Sequence, residues 1–164
     1  MDFTEKQIAA MIRLAMSAVY CDGYADKSEF EVMKNYGFGL LIKAAKYNLN
    51  QAKDKIPKLM KESSKLSEKE AIEVLRPMSK KQKKFFYAFI VSIINADGIV
   101  THEESDFFSY LNNELDLPVV DKKEAKEIFE EFLDINETKT SEGTGCLGWI
   151  IFIIIIGIIY VFGK

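Results

Sequence analysis

The chain has 164 residues, with 22 Lys and Arg against 25 Asp and Glu and a formal net charge of -3. That length fits one domain plus an appendage, and an apolar content of 48% is enough to bury a core. So small a net charge supplies no field for nucleic acid. The two cysteines, Cys21 and Cys146, lack the spacing of a disulfide framework or a zinc site, and "MDFTEKQIAA" has neither the basic nor the apolar block of a signal peptide.

Every segment with a clear period reads as helix, and no period-2 run or Asn-Gly hairpin signal interrupts the pattern. The first helix is expected from about Phe3 to Cys21, with Ile8, Met11, Ile12, Ala15 and Val19 on its apolar face. Thr4 and Gln7 have the capping-box spacing at its start. A second helix is expected from about Lys27 to Lys46, with Gly37 and Gly39 inside it at a cost of about 1 kcal/mol each relative to Ala. In "NLNQAKDKIPKLMKESSKLS" Pro57 is expected to start or bend a short helix. Ser67 with Glu70 caps another, which ends before Arg76-Pro77. Ser79 with Gln82 caps a long helix through "FFYAFIVSIINA". Two more follow, near His102–Leu115 and Lys122–Leu133, the last boxed by Asp121 and Glu124.

The far end has a different character. "DINETKTSEGTG", residues 134–145, is polar and rich in small residues and reads as a flexible tether with an r.m.s. reach of roughly 20 Å. Its Asn136-Glu137-Thr138 sequon reads as chance without a secretion signal. Residues 146–163 follow as an uncharged, isoleucine-rich segment, "CLGWIIFIIIIGIIYVFG". Eighteen residues of helix span roughly 27 Å, close to the hydrocarbon thickness of a thin bilayer. Trp149 and Tyr160 stand near its two ends, where aromatic belts form. The expectation is a C-terminal transmembrane helix, a single-pass anchor that leaves residues 1–133 in the cytoplasm. Gly157 has no GxxxG partner, so no strong dimer through the span is expected.

One pattern occurs twice. "MSAVYCDGYADKSEFEVM" and "VSIINADGIVTHEESDFF" align at an offset of 75 residues, pairing Asp22 with Asp97, Gly23 with Gly98, and Glu29 with Glu104. Ser17 pairs with Ser92, Val19 with Ile94, Cys21 with Ala96 and Met33 with Phe108. The pattern predicts a duplicated helix–loop–helix unit. Two accounts of its acidic residues stand side by side. In the first, a glycine takes the left-handed cap, Asp26 or Thr101 begins the next helix, and Glu29 or Glu104 closes a capping box. That leaves Asp22 and Asp97 opposing a helix macrodipole. In the second, the carboxylates hold a hard divalent cation, Ca²⁺ or Mg²⁺ by donor type. The spacing is not that of an EF-hand, because Gly directly follows the first Asp.

An all-helical domain with two such corners, each after an apolar helix, resembles the TerB-like domain of tellurite-resistance and related bacterial stress proteins. The resemblance covers about residues 3–133 and rests on Asp22-Gly23, Glu29, Asp97-Gly98 and Glu104 with the helix order. It implies an all-α, compact multi-helix bundle of pseudo-twofold halves, with clustered acidic residues that bind divalent metal. Carried over, Asp22, Glu29, Asp97 and Glu104 form that cluster, with Asp26 and Glu103 as neighbours. Thr101 stands where the first corner has Asp26, so a shared or asymmetric site is expected rather than two equal ones. Such domains also occur fused to membrane segments.

Other residues carry weaker chemistry. His102, the lone histidine, reads as a surface residue or as a ligand. Lys80, Lys81, Lys83 and Lys84 form "KKQKK", which reads as a solvated face or as a contact for anionic lipid headgroups. A nucleic-acid partner is not expected, since stacking aromatics are absent from the run. An enzyme is not expected either, because a Gly-rich phosphate loop, a nucleophile elbow and HExxH are all missing. The sequence thus reads as an interaction or sensing module with a protein partner, cation-binding or metal-free.

Overall fold

Four helix starts among the described residues are set by short polar side chains, each followed three residues later by Gln or Glu. The computed structural model describes residues 2–23, 27–28, 30–33, 49–121, 123–125 and 127–128. Among them the helices are α1 (Glu5–Tyr20), α2 (Leu49–Ser63), α3 (Glu68–Leu75), α4 (Lys80–Ile94) and α5 (His102–Leu115). Residues 27–28, 30–33, 123–125 and 127–128 are helical as well, and no described residue is in a strand. The all-α class expected from the periodicity is what the described residues adopt.

Four complete capping boxes begin four of these helices. Thr4 pairs with Gln7, Ser67 with Glu70, Ser79 with Gln82 and Thr101 with Glu104. In each, the hydroxyl accepts the N–H of the third helical residue, whose side chain accepts the cap's own N–H. Two otherwise orphaned donors are thereby satisfied. A fifth start is partly built in this way: the Glu124 N–H donates to Asp121 Oδ1 at 2.8 Å. At the other end of α5, Asp116 takes a left-handed φ of 48° and its N–H returns to the Asn112 carbonyl.

α1 occupies the centre. Ile8, Ala10, Met11, Leu14, Ala15 and Val19 are fully buried, and Ala9, Ile12 and Ala18 nearly so. These positions cover most of its circumference, the mark of a helix enclosed by others. It packs against α2, α3, α4 and α5 in turn, while α5 also meets α3 and α4. The alanines let neighbouring helices approach closely, and the bulk comes from outside, from Phe85, Phe86 and Phe89 on α4 and Ile72 and Leu75 on α3. The rings of Phe3 and Phe85 are 5.5 Å apart, and those of Phe85 and Phe89 are 6.4 Å apart. Tyr87 meets Phe108 edge-on at 5.2 Å, joining α4 to α5.

The helix around Pro57 is longer than expected: Pro57 does not start it but stands inside the 15-residue α2. A proline there removes one backbone donor, a cost of about 3 kcal/mol in an isolated helix. Pro57 is exposed, and Leu59, two residues on, is buried in the core. Packing of the helix as a whole overrides the local penalty. Of the helix expected over residues 27–46, only the start is described, so Gly37 and Gly39 lie outside the described residues. Segment 146–163, expected to cross a membrane, also lies outside them. No helix among the described residues is long and apolar enough to cross a membrane.

Two consequences follow from the core and the caps. Phe89→Ala should destabilise the fold by about 3–5 kcal/mol, because the site is enclosed and a cavity would remain. Urea unfolding of the full chain in detergent, read as a shift in midpoint at constant slope, checks this. Glu70 is held below the ordinary glutamate value of 4.5 by the Ser67 N–H and then by its hydroxyl, both donating to Oε2. A lowered folded pKa gives stability that is present above the unfolded value and is lost as pH falls through the folded one. The unfolding midpoint should therefore fall as pH drops below about 4.5, and Glu70→Gln, which keeps an acceptor but does not titrate, should flatten that dependence. A pH series of unfolding curves on both chains measures the difference.

Candidate functional site

The repeated Asp-Gly pattern makes two corners with the same backbone. At the first, the Cys21 N–H donates to the Ala18 carbonyl at 3.5 Å and the Gly23 N–H to the Tyr20 carbonyl at 3.1 Å. At the second, Ala96 donates to Ile93 at 3.0 Å and Gly98 to Asn95 at 3.2 Å. All four donors and acceptors correspond at the offset of 75 residues. Gly23 has φ +80° and Gly98 φ +81°, a left-handed conformation that costs an L side chain about 1–2 kcal/mol. No neighbouring atom would meet a Cβ at either position, so the requirement for glycine is one of backbone conformation and not of space. Over residues 18–23 and 93–98 the pairing read from the sequence therefore holds at the level of individual hydrogen bonds.

The acidic side chains at the second corner have local partners. Asp97 Oδ1 accepts the Ile99 N–H at 2.8 Å, a turn in which the carboxylate satisfies a loop donor two residues on. Glu104 is 4% exposed. Its Oε2 accepts the Thr101 N–H at 2.6 Å and the Thr101 hydroxyl at 2.9 Å, and its own N–H donates to Thr101 Oγ1 at 3.2 Å. Glu103, next to it, is exposed in the first turn of α5, where a negative charge favours the helix dipole. Asp22 and Asp97 are both exposed. Asp26 and Glu29 lie outside the described residues. Among the described residues no three His, Cys, Asp or Glu side chains are grouped as metal ligands. His102 is exposed and lies 3.6 Å from Asp106, one turn along the same helix.

The corners differ in what stands behind them. Ser92 donates its hydroxyl to the Ala88 carbonyl of its own helix at 2.8 Å. Ser17, its counterpart, donates to Glu68 Oε1 at 2.8 Å and accepts from Arg13 Nη1 at 3.1 Å. Arg13 Nε also donates to the Leu66 carbonyl at 2.8 Å, tying α1 to the start of α3. Sequence reasoning did not single out Arg13; the available signal was an arginine set among the apolar positions of α1. Arg76 plays a similar part on the surface. Its Nη2 lies 2.8 Å from Glu114 Oε2, its Nη1 donates to the Glu114 carbonyl at 3.2 Å, and its Nε bonds Glu73 Oε1 at 3.1 Å. Those contacts, Glu73's first, raise its pKa further above the ordinary arginine value and join α3 to the end of α5.

Two open grooves flank these elements. One is lined by Thr4, Gln7, Leu66, Lys69, Val74 and Pro77, among others. The other is lined by Lys80, Lys81, Lys84, Glu124, Glu127 and Ile128. In the second, Lys84 Nζ is paired with Glu124. Lys83 is half-buried and does not line it.

No protein-family model matches the chain, and comparison with curated proteins gives no match. Among solved structures, the fold is similar to that of a protein of unknown function from Porphyromonas gingivalis W83. The TM-score is 0.62 at 22% identity, over 77% of this chain and 89% of the other. That likeness establishes a shared fold.

At the second corner the geometry separates the roles of the Asp and the Gly. Gly98→Ala should cost about 1–2 kcal/mol through its positive φ alone. Asp97→Asn, which keeps an acceptor for the Ile99 N–H, should cost less than about 0.5 kcal/mol. Urea midpoints of the two variants check the ranking; a larger loss for Asp97→Asn would show that the charge itself matters.

Proposed function

We propose that residues 1–133 act as a TerB-like helical binding module in a bacterial stress response of the tellurite-resistance type. In this reading segment 146–163 holds the module at a membrane from the cytoplasmic side, and it works by docking a protein and not by turnover. Its acidic corners serve as helix caps. The observation that carries the reading is how the second corner spends its polar groups. The Glu104 carboxylate is buried in its capping box, and Asp97 holds the Ile99 N–H. The tip between them turns apolar side chains outward, with Ile99 65% and Val100 50% exposed. Apolar groups at a rigid, hydrogen-bonded corner suit a docking contact, because the backbone that presents them is already ordered.

A second reading, a site for Ca²⁺ or Mg²⁺, is favoured by one observation. Asp22 and Asp97 are exposed at equivalent corners and accessible to a cation.

Two measurements on the full chain separate these readings. Thermal unfolding in chelator and then with excess Ca²⁺ or Mg²⁺ should give the same midpoint. A ligand at 100 times its Kd would add about 2.7 kcal/mol, so binding would be evident. A rise lost in the Asp22→Ala, Asp97→Ala double variant would replace the docking proposal with the cation site. In cells, a photo-crosslinking residue at position 100 should give a discrete protein adduct. Ile99→Asp should abolish the adduct while leaving the unfolding midpoint unchanged. An adduct pattern indifferent to Ile99→Asp would overturn docking through this corner.

A further inference from the structure

The small net charge of the chain conceals a sharp division. From Phe85 to Asp121, 37 residues pass without a Lys or Arg, and they include seven of the 25 Asp and Glu. With His102 neutral, this stretch carries a formal charge of -7 in a chain whose total is -3. It comprises most of α4, the second corner, α5 and the loop after it, and every residue of it is described. The exposed apolar groups are concentrated there too. Six large apolar side chains are exposed among the described residues, and four of them, Ile99, Val100, Tyr110 and Val119, belong to this stretch.

The outer face of α5 carries both features. Glu103, Asp106, Tyr110 and Asn113 stand at i, i+3, i+7 and i+10, one stripe of a 3.6-residue helix, and all four are exposed. Leu111 and Leu115, on the opposite side, are buried in the core. Ile99 and Val100 come immediately before this helix, which is roughly 20 Å long. Cations do little to offset its carboxylates. Arg76 reaches Glu114 at 2.8 Å, and among the described residues no other Lys or Arg pairs with an acid of this stretch. Asp106 lies 3.6 Å from His102, which is charged only when protonated. The donors to Asp97 and Glu104, from Ile99 and Thr101, are neutral groups.

We infer that the second corner and the outer face of α5 dock a basic, amphipathic segment of another protein. Its apolar side chains meet Ile99, Val100 and Tyr110, and its Lys or Arg groups meet Glu103 and Asp106. The inference rests on the docking reading above and names the chemistry of the partner. A face that served solubility alone would need only polar side chains, whereas here apolar groups stand among carboxylates. Anionic lipid and nucleic acid share the sign of the face and are repelled by it. Opposite charges steer a basic segment to the tip and fix its register, an effect that salt weakens.

The test places a photo-crosslinking residue at position 100 or at position 110 of the full chain in cells and sequences the crosslinked peptide by mass spectrometry. Both positions should join the same protein, through a segment with more Lys and Arg than Asp and Glu. Glu103→Lys with Asp106→Lys should lower the adduct yield about tenfold or more, because like charges then face each other. Glu103→Gln with Asp106→Asn removes charge at constant size and should lower it severalfold, which keeps the comparison should the reversed pair fail to fold. The same charge change at exposed positions of α2, Asp54→Lys with Glu62→Lys, should leave the yield unchanged. A yield indifferent to both pairs at Glu103 and Asp106, or a crosslinked segment that is not basic, overturns the inference while docking through Ile99 stands. An equal loss from the α2 pair overturns it too, since the effect would then be one of overall charge. So does a crosslink to lipid or to a second copy of the chain. An adduct indifferent to Ile99→Asp removes the docking reading itself, and the inference falls with it.

Discussion

α1 can be buried on nearly every side only if the rest of the chain surrounds it, and this constraint organises the molecule. A 16-residue helix with fully buried Ile8, Met11, Leu14 and Val19 has little apolar surface left to lean on water. Burial of each such side chain contributes about 1.5–3 kcal/mol, so the central helix is both the main source of stability and the template for its neighbours. α2, α3, α4 and α5 all touch it. The one strongly polar residue inside the span, Arg13, is compatible with that position because it bonds Leu66, Ser17 and Glu68 at the edge of the packing. It converts an otherwise awkward charge into a clamp between α1 and the start of α3. Since part of that network is exposed, its value lies more in fixing the α1–α3 register than in Coulomb energy.

Enclosing one helix with several short ones creates many helix ends, and every end has orphaned donors or acceptors. The chain answers with the same device at Thr4, Ser67, Ser79 and Thr101. This bears directly on function, because a capping box uses the residues that a metal site would use. Glu104 illustrates the overlap. A buried carboxylate beside a hydroxyl and an Asp-Gly turn has the composition of a cation site, yet its Oε2 is engaged by the Thr101 N–H and hydroxyl. Asp97 likewise avoids opposing the dipole of α4 by accepting the Ile99 N–H. The residue types alone do not distinguish cap from ligand; the hydrogen bonds show that Glu104 acts as a cap for α5.

What could be read in the sequence follows from distance along the chain. The four boxes were legible because each is an i, i+3 pattern, and the positive φ of Gly23 and Gly98 was legible because glycine after a helix is itself a local signal. The core of α1 and α4 was legible from its 3.6-residue period. The length of the helix around Pro57 was not legible, because the local rule is a propensity that the packing of α2 outweighs. The Arg13 clamp spans 53 residues, the Arg76–Glu114 bridge 38 and the Lys84–Glu124 pair 40. No periodicity encodes such pairings, which exist only once the helices are placed.

The two corners share one hydrogen-bond pattern in different surroundings. The hydrogen bonds at Cys21 and Gly23 recur at Ala96 and Gly98, so the turn itself is preserved. One matched pair, a serine in each preceding helix, is bonded differently. Ser92 folds its hydroxyl back onto its own helix, while Ser17 reaches across to Glu68 and is met by Arg13. The first corner is therefore tied into the centre of the fold through α3. The second projects Ile99 and Val100 from a turn held by its own local bonds. Side chains carried on that turn can be altered without disturbing the core, because the turn is held by its own hydrogen bonds.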